Sequence, residues 1–200
     1  MAIRGSWLLA GVAAVALAAV LGTTPHASSL PGPVVDSALP RALELARFRA
    51  GTDSMVALSG GAGSLHDLAT RWTAAIAASD TITLRALVID RAEFGWLFYP
   101  SSAQGRPPYD LSPALMWDLL GRQTDAGIGY LRRALDGRPL GAGGVDCGVE
   151  PMREGANRIW GPCFMTLVLA NGDSLAARLT GPVIERDGRF KFVSYTNDLD

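Results

Sequence analysis

Apolar positions along this chain change their period twice. They are continuous from Trp7 to Leu21, recur every three or four residues between Leu65 and Leu135, and alternate from Gly143 onward. The middle pattern predicts helices and the last predicts strands. The last fifth, Asn157 to Tyr195, reads as an antiparallel β-meander. Asn171-Gly172 and Asp187-Gly188 each sit between two apolar runs, where a two-residue I′ turn needs φ > 0 at both positions. The first turn pairs Ala170 with Asp173, Val168 with Leu175, Thr166 with Ala177 and Phe164 with Leu179. Phe164, Val168, Leu175 and Leu179 then share the face that helices should cover. The second turn pairs Glu185 with Phe190 and Val183 with Phe192, which adds Phe192 to that face. The strands run over Val145–Val149, Ile159–Ala170, Ser174–Arg186 and Arg189–Thr196. Gly181-Pro182 interrupts the third, and a bulge there could turn its far half over.

Upstream, Asp36 or Ser37 can cap a short helix that ends at Phe48 before Gly51, with Arg41, Arg47 and Arg49 on its wet sides. The clearest helix starts at Ser64, with Asp67 three residues on in a near-capping-box. Leu65, Leu68, Ala69, Trp72, Ala75 and Ile76 form its apolar face. Further helices are expected over Thr83–Ile89 and Arg91–Phe98, the latter ended by Pro100. Ser112-Pro113 opens another to Leu120, Gly121 to Gln123 breaks it, and a last one runs from Thr124 to Leu135 and closes at Gly137. Gly127 and Gly129 weaken that helix by roughly 1 kcal/mol each relative to alanine, and would allow a close approach to the sheet. The fold class is α+β, with N-terminal helices packed on a curved C-terminal antiparallel meander.

The continuous run at the start changes the picture of where this fold works. Arg4 precedes it and Gly22-Thr23-Thr24-Pro25 ends it, the layout of a secretory signal peptide. Cleavage is expected after Gly22 or Ala27, and the run is short for a spanning helix. The alternative is an uncleaved N-terminal anchor. Either way the rest of the chain is placed outside the cytoplasm, periplasmic or secreted. Residues 1–27 are thus read as the export segment, 28–63 as a Pro-, Ser- and Gly-rich linker with a short helix, and 64–200 as one domain.

Of the 200 residues 48% are hydrophobic, enough for a core, and the formal charge of −1 gives no field for nucleic acid or an anionic membrane. The two cysteines fit an oxidising compartment. A hairpin centred near Gly155 sets Cys147 opposite Cys163, within disulfide reach, which predicts that they are bonded.

Little else points to chemistry. Two histidines and two cysteines give neither a His-rich site nor a zinc knuckle, so no metal and no cofactor is expected. Gly60-Gly61-Ala62-Gly63 before the Ser64 helix lacks the spacing of a phosphate-cradling loop and reads as a flexible connection. His66 and Asp67 are adjacent on a helix and do not face each other. Glu93 to Trp117 is the stretch densest in large side chains, with Phe94, Trp96, Phe98, Tyr99, Tyr109 and Trp117. Such a stretch builds either a core or a pocket wall. Arg178 falls beside Met165 on the face opposite Leu179, a solvated face in this register. Tyr195 and the acidic tail Asp198–Asp200 read as exposed.

Helices followed by a curved sheet ending in Gly188-Arg189-Phe190-Lys191-Phe192-Val193-Ser194-Tyr195 resemble the nuclear transport factor 2-like, or SnoaL-like, cone-shaped α+β superfamily over about Ser64 to Thr196. Within it, Arg91 to Pro100, Arg106-Pro107-Pro108-Tyr109 and Gly137-Arg138-Pro139-Leu140 look like a group of uncharacterised exported bacterial proteins. The resemblance implies a cavity between sheet and helices that serves an isomerase, a dehydratase or a plain binding module. The first reading is therefore a non-catalytic binding domain for a small apolar or amphipathic ligand, with Trp96, Tyr99, Trp117 and Phe192 as candidate contacts. The alternative is acid–base catalysis in the same cavity, with Glu93 or His66 as base and Tyr99 or Tyr109 as proton donor. A third reading is a homodimerising module that uses an apolar Met165–Leu167 face.

Overall fold

The computed structural model describes residues 39–135, 140–148 and 150–195. The run read as an export segment, the expected Asp36 or Ser37 cap, Gly137 and the tail Asp198–Asp200 lie outside the described residues. Among the described residues five helices precede seven strands, an α+β fold. They are α1 (Arg41–Arg49), α2 (Leu65–Ala77), α3 (Thr81–Ala86), the single turn α4 (Arg91–Glu93) and α5 (Pro113–Leu135). A π-helical turn, Phe94–Phe98, extends α4, and a 3₁₀ turn spans Ala103–Gly105. The strands are β1 (Leu140–Asp146), β2 (Met152–Glu154), β3 (Asn157–Trp160), β4 (Phe164–Leu169), β5 (Ser174–Ala177), β6 (Val183–Arg186) and β7 (Arg189–Phe192). No helix among the described residues is long and apolar enough to cross a membrane.

The meander is there, but it is divided. Its strands form two antiparallel sheets, β1-β4-β5 and β2-β3-β6-β7. The strand expected over Ile159–Ala170 breaks at Gly161-Pro162, and the one expected over Ser174–Arg186 breaks before Val183, just past Gly181-Pro182. Proline cannot donate to a ladder, and a Cβ on Gly161 would lie 3.5 Å from Pro182 Cα, so the two breaks abut. The disulfide closes at this crossing, Cys147 to Cys163 with S–S 2.11 Å. It continues the β1–β4 register after Asp146↔Phe164. The Gly155 hairpin itself joins β2 to β3, in the other sheet.

The two turns behave differently. Asp187 (φ 51°) and Gly188 (φ 70°) are both left-handed, and the pairs Glu185↔Phe190 and Val183↔Phe192 form as predicted. At the first turn only Gly172 is left-handed, at φ 84°. Asn171 instead accepts the Asp173 N–H on its side-chain oxygen at 3.1 Å, an Asx turn. Gly172 N donates to Leu169 O and Leu169 N to Asp173 O, the closure of a three-residue loop ending in a bulge. The register slips by one, to Thr166↔Ala176 and Met165↔Ala177. A one-residue slip turns a strand over. Phe164 is consequently 47% exposed and Val168 half-buried, while Met165 and Leu167 are buried. This corrects the expected inward face and removes the exposed Met165–Leu167 patch. Leu179 and Phe192 are buried as expected, and the Leu175 side chain lies outside the described residues.

The outer edge of β7 is covered. Ala62 pairs with Phe190 and Val88 with Phe192, which blunts an edge otherwise open to another chain. The glycine run is therefore pinned rather than a flexible connection. A Cβ on Gly61 would meet Phe190 O at 3.2 Å. Phe48, Leu58 and Ala62, from the stretch read as linker, belong to the same core as α2 and the sheets.

The Ser64 helix forms as predicted, with Asp67 N donating to Ser64 Oγ at 3.0 Å and Leu68, Ala69, Trp72, Ala75 and Ile76 buried. The break expected at Gly121 is absent, and α5 runs unbroken for 23 residues. Its inward stripe, with Met116, Ile128 and Leu131 buried, continues through the glycine. Gly127 is the close approach, since a Cβ there would lie 2.4 Å from Tyr195 Cβ. Tyr195 is fully buried, contrary to expectation, and donates to Leu84 O at 2.7 Å.

Candidate functional site

The aromatic segment is core first. Asp90 caps α4, and Glu93 returns the capping box. The π turn closes with Tyr99 N donating to Phe94 O at 2.8 Å. Phe94, fully buried, sits between Phe48 and Trp117, both with ring centroids 5.3 Å away, and Tyr99 at 5.6 Å. Gly95 leaves room for Phe48, whose ring a Cβ would meet at 3.1 Å. Arginines of α1 fasten this cluster from outside, so Arg41 and Arg49 are not on wet faces. The Arg49 guanidinium lies 4.1 Å over the Trp96 ring and its Nε donates to Gly95 O at 2.9 Å. Arg41 donates to Tyr99 Oη, Gly105 O, Leu111 O and Asp110 Oδ1.

Glu93 and Lys191 form a closed knot. Glu93 is fully buried and Lys191, the chain's single lysine, is 3% exposed. Lys191 Nζ donates to Glu93 Oε2 at 2.8 Å. That oxygen also accepts from Asp90 N, and Oε1 accepts from Ser59 N and Ser59 Oγ. Two buried charges are stable only when such additional bonds offset their desolvation. The knot joins the 59–62 segment, the start of the aromatic run and β7.

The candidate catalytic groups are not brought together. Glu93 meets a lysine and no tyrosine. Tyr99 donates to Leu111 O at 2.7 Å, and burial pushes its phenol pKa up, against the pull of Arg41. His66 is exposed on the first turn of α2, and its neighbour Asp67 accepts from Gly63 N instead. Tyr109 stands 67% exposed. Among the described residues no three His, Cys, Asp or Glu side chains gather as a metal site requires.

What the fold does leave open is a groove of about 640 Å³ between α5 and the β2-β3-β6-β7 sheet. Met116, Leu119 and Leu120 of α5 form one wall, and Ile159 of β3 with Pro182 and Val193, which flank β6 and β7, form the other. Met152 and Tyr109 stand at its rim, 60% and 67% exposed, with Leu119 at 43%. Polar groups are interspersed: Arg178, Gln104, Gln123 and Glu154, with the Tyr109 hydroxyl at the rim. Arg178, expected on an open face, is half-buried at the β5–β6 crossing and lines this groove. Trp117 lines a smaller cavity of about 230 Å³ on the other side of Leu120, against Ile89 and Arg91. Trp96, Tyr99 and Phe192 line neither space.

Of the groove lining the sequence singles out Tyr109 alone as a candidate site residue, because the pattern around Gly121 predicts two helices where α5 is one. Leu111, Leu115 and Leu119 recur every four residues beside the Met116 stripe. That second apolar stripe was the available signal. Arg178 carried no signal, since its position depends on the one-residue slip. The chain matches no protein-family model, no curated protein and no solved structure.

Proposed function

We propose that this is an exported binding domain that takes a small apolar or amphipathic ligand in the groove between α5 and the β2-β3-β6-β7 sheet, without catalysis. The groove carries the reading. Its volume of about 640 Å³ falls in the range of ligand pockets, and apolar walls with a few polar groups are how such pockets are built. Large apolar side chains left exposed together mark a binding surface, and here they stand along one opening. Helices followed by a bent meander support kinship with the nuclear transport factor 2-like superfamily, where a ligand would occupy this space. The disulfide fits an oxidising compartment, and together with the apolar run Trp7–Leu21 it supports export. Against catalysis stand the full set of partners around Glu93 and the engaged Tyr99 hydroxyl.

The test is a titration with a neutral fluorescent apolar probe, N-phenyl-1-naphthylamine. The native chain should bind it saturably at one site. Leu119→Arg and Met152→Arg, both at exposed positions, should each weaken binding at least tenfold without changing the unfolding midpoint. Unsaturable binding, or variants that bind like the native chain, would reject the groove.

A further inference from the structure

We propose that the smaller cavity, beside Trp117, is a second site that takes a single neutral sugar ring. Leu120 and Val193 line both spaces and so part this cavity from the groove. It does not depend on what the groove binds. Its volume of about 230 Å³ falls below the roughly 300 Å³ at which pockets for drug-sized ligands begin. That suits one ring rather than a chain.

The floor is apolar and the rim is charged. Val88, Ile89 and Val193 are buried, while Arg85, Asp90, Arg91 and Asp125 are exposed. Each rim charge is fixed by a contact within the fold. Arg85 Nη1 donates to Asp125 Oδ1 at 2.6 Å, Asp90 Oδ1 accepts from Glu93 N at 2.8 Å, and Arg91 Nη2 donates to Phe48 O at 2.9 Å. The second oxygen of each carboxylate bonds no described residue. Groups already held in place lose little freedom when a ligand arrives. Thr124 is 7% exposed on α5 and lines the cavity, and its hydroxyl bonds no described residue.

The signs narrow the ligand. Arg85 stands with Asp125 across α3 and α5, and Asp90 beside Arg91 at the start of α4. Each side of the cavity therefore holds one acid and one base, and an ion or a zwitterion meets no pole of opposite sign. A hydroxyl donates and accepts at once, and a carboxylate next to a guanidinium offers it both. The Trp117 ring, half-buried, is held 5.3 Å from Phe94 and 6.3 Å from Phe48. A sugar ring carries C–H groups on its faces, which pack on an aromatic side chain, and hydroxyls around its edge.

Saturation-transfer-difference NMR on the full chain reads weak binding of small molecules. The probes are D-glucose, D-galactose and D-mannose, with cyclohexanol as a ring lacking neighbouring hydroxyls and L-leucine as a zwitterion. At least one hexose should bind, about tenfold more tightly than either control. Thr124→Val should weaken that hexose about tenfold, the worth of one hydrogen bond. Gly121→Phe should abolish its binding, since Gly121 lines the cavity and a Cβ there meets nothing within 4 Å. Near-UV circular dichroism checks that each variant is folded, and the isosteric Thr124→Val decides if Gly121→Phe is not. No binding by any hexose, a control that binds as well, or a folded variant that binds like the native chain would overturn the assignment. Loss of hexose binding in Leu119→Arg would place the sugar in the groove and overturn it too.

Discussion

Two glycines six residues apart in α5 should respond to the same substitution with opposite sign. A Cβ built on Gly121 meets nothing within 4 Å. Alanine there gains only helix propensity, about 1 kcal/mol. A Cβ on Gly127 would lie 2.4 Å from Tyr195 Cβ and 3.4 Å from the Tyr195 backbone. Tyr195 cannot yield cheaply, because it is fully buried, packs at 5.5 Å on Phe192 and is tied to Leu84 O. Overpacking of this kind costs about 1–3 kcal/mol, and the propensity gain offsets about 1 of it. Gly121→Ala should therefore stabilise by about 1 kcal/mol and Gly127→Ala should destabilise by about 1 kcal/mol. Urea unfolding with the disulfide intact measures both, with m unchanged. In heat the two variants should melt about 4–8 °C apart, from the shift of roughly 2–4 °C per kcal/mol at this size. Equal shifts in one direction would refute the close approach of α5 to Tyr195, and with it the placement of the groove wall.

Three further outcomes follow from the same geometry. Glu93→Gln should destabilise by about 3–5 kcal/mol because it strands a buried ammonium. The double variant with Lys191→Met should be less destabilised than the single one, and a chemical-denaturation cycle measures the coupling. Cys147→Ser should cost about 3 kcal/mol for a closed loop of this length. Non-reducing peptide mapping of the native chain should show the Cys147–Cys163 link. Burial pushes the Tyr195 and Tyr99 phenols above their ordinary 10.0. Raised folded-state values mean that the unfolded chain ionises first. Stability is then fully present below pH 10 and falls above it, approaching about 1.4 kcal/mol per pH unit for the deeply buried Tyr195. Tyr195→Phe should flatten that slope in unfolding measured from pH 9 to 11, and an unchanged slope would contradict the burial.

The sequence by itself determined whatever is local. Ser64 with Asp67 sets the start of α2, because the cap and its reply are three residues apart. Asp187-Gly188 sets its turn and the pairing on either side, because both residues tolerate a left-handed backbone. The α+β order was also legible in the alternation, and the bond between Cys147 and Cys163 was foreseen, although the β1–β4 pairing rather than the Gly155 hairpin brings the two together. Only the tertiary structure decided the rest. Asn171-Gly172 has the same kind of signal as Asp187-Gly188, yet its side chain takes the Asp173 N–H and the strand turns over. Gly121 looks like a helix break, yet packing on both sides of it carries α5 through. Glu93 looks like an acid among aromatic rings, yet its partner is a lysine 98 residues away. The groove has no local signature at all. It exists because one continuous helix faces strands that Gly161-Pro162 and Gly181-Pro182 divide into two sheets, and no short window of sequence contains both.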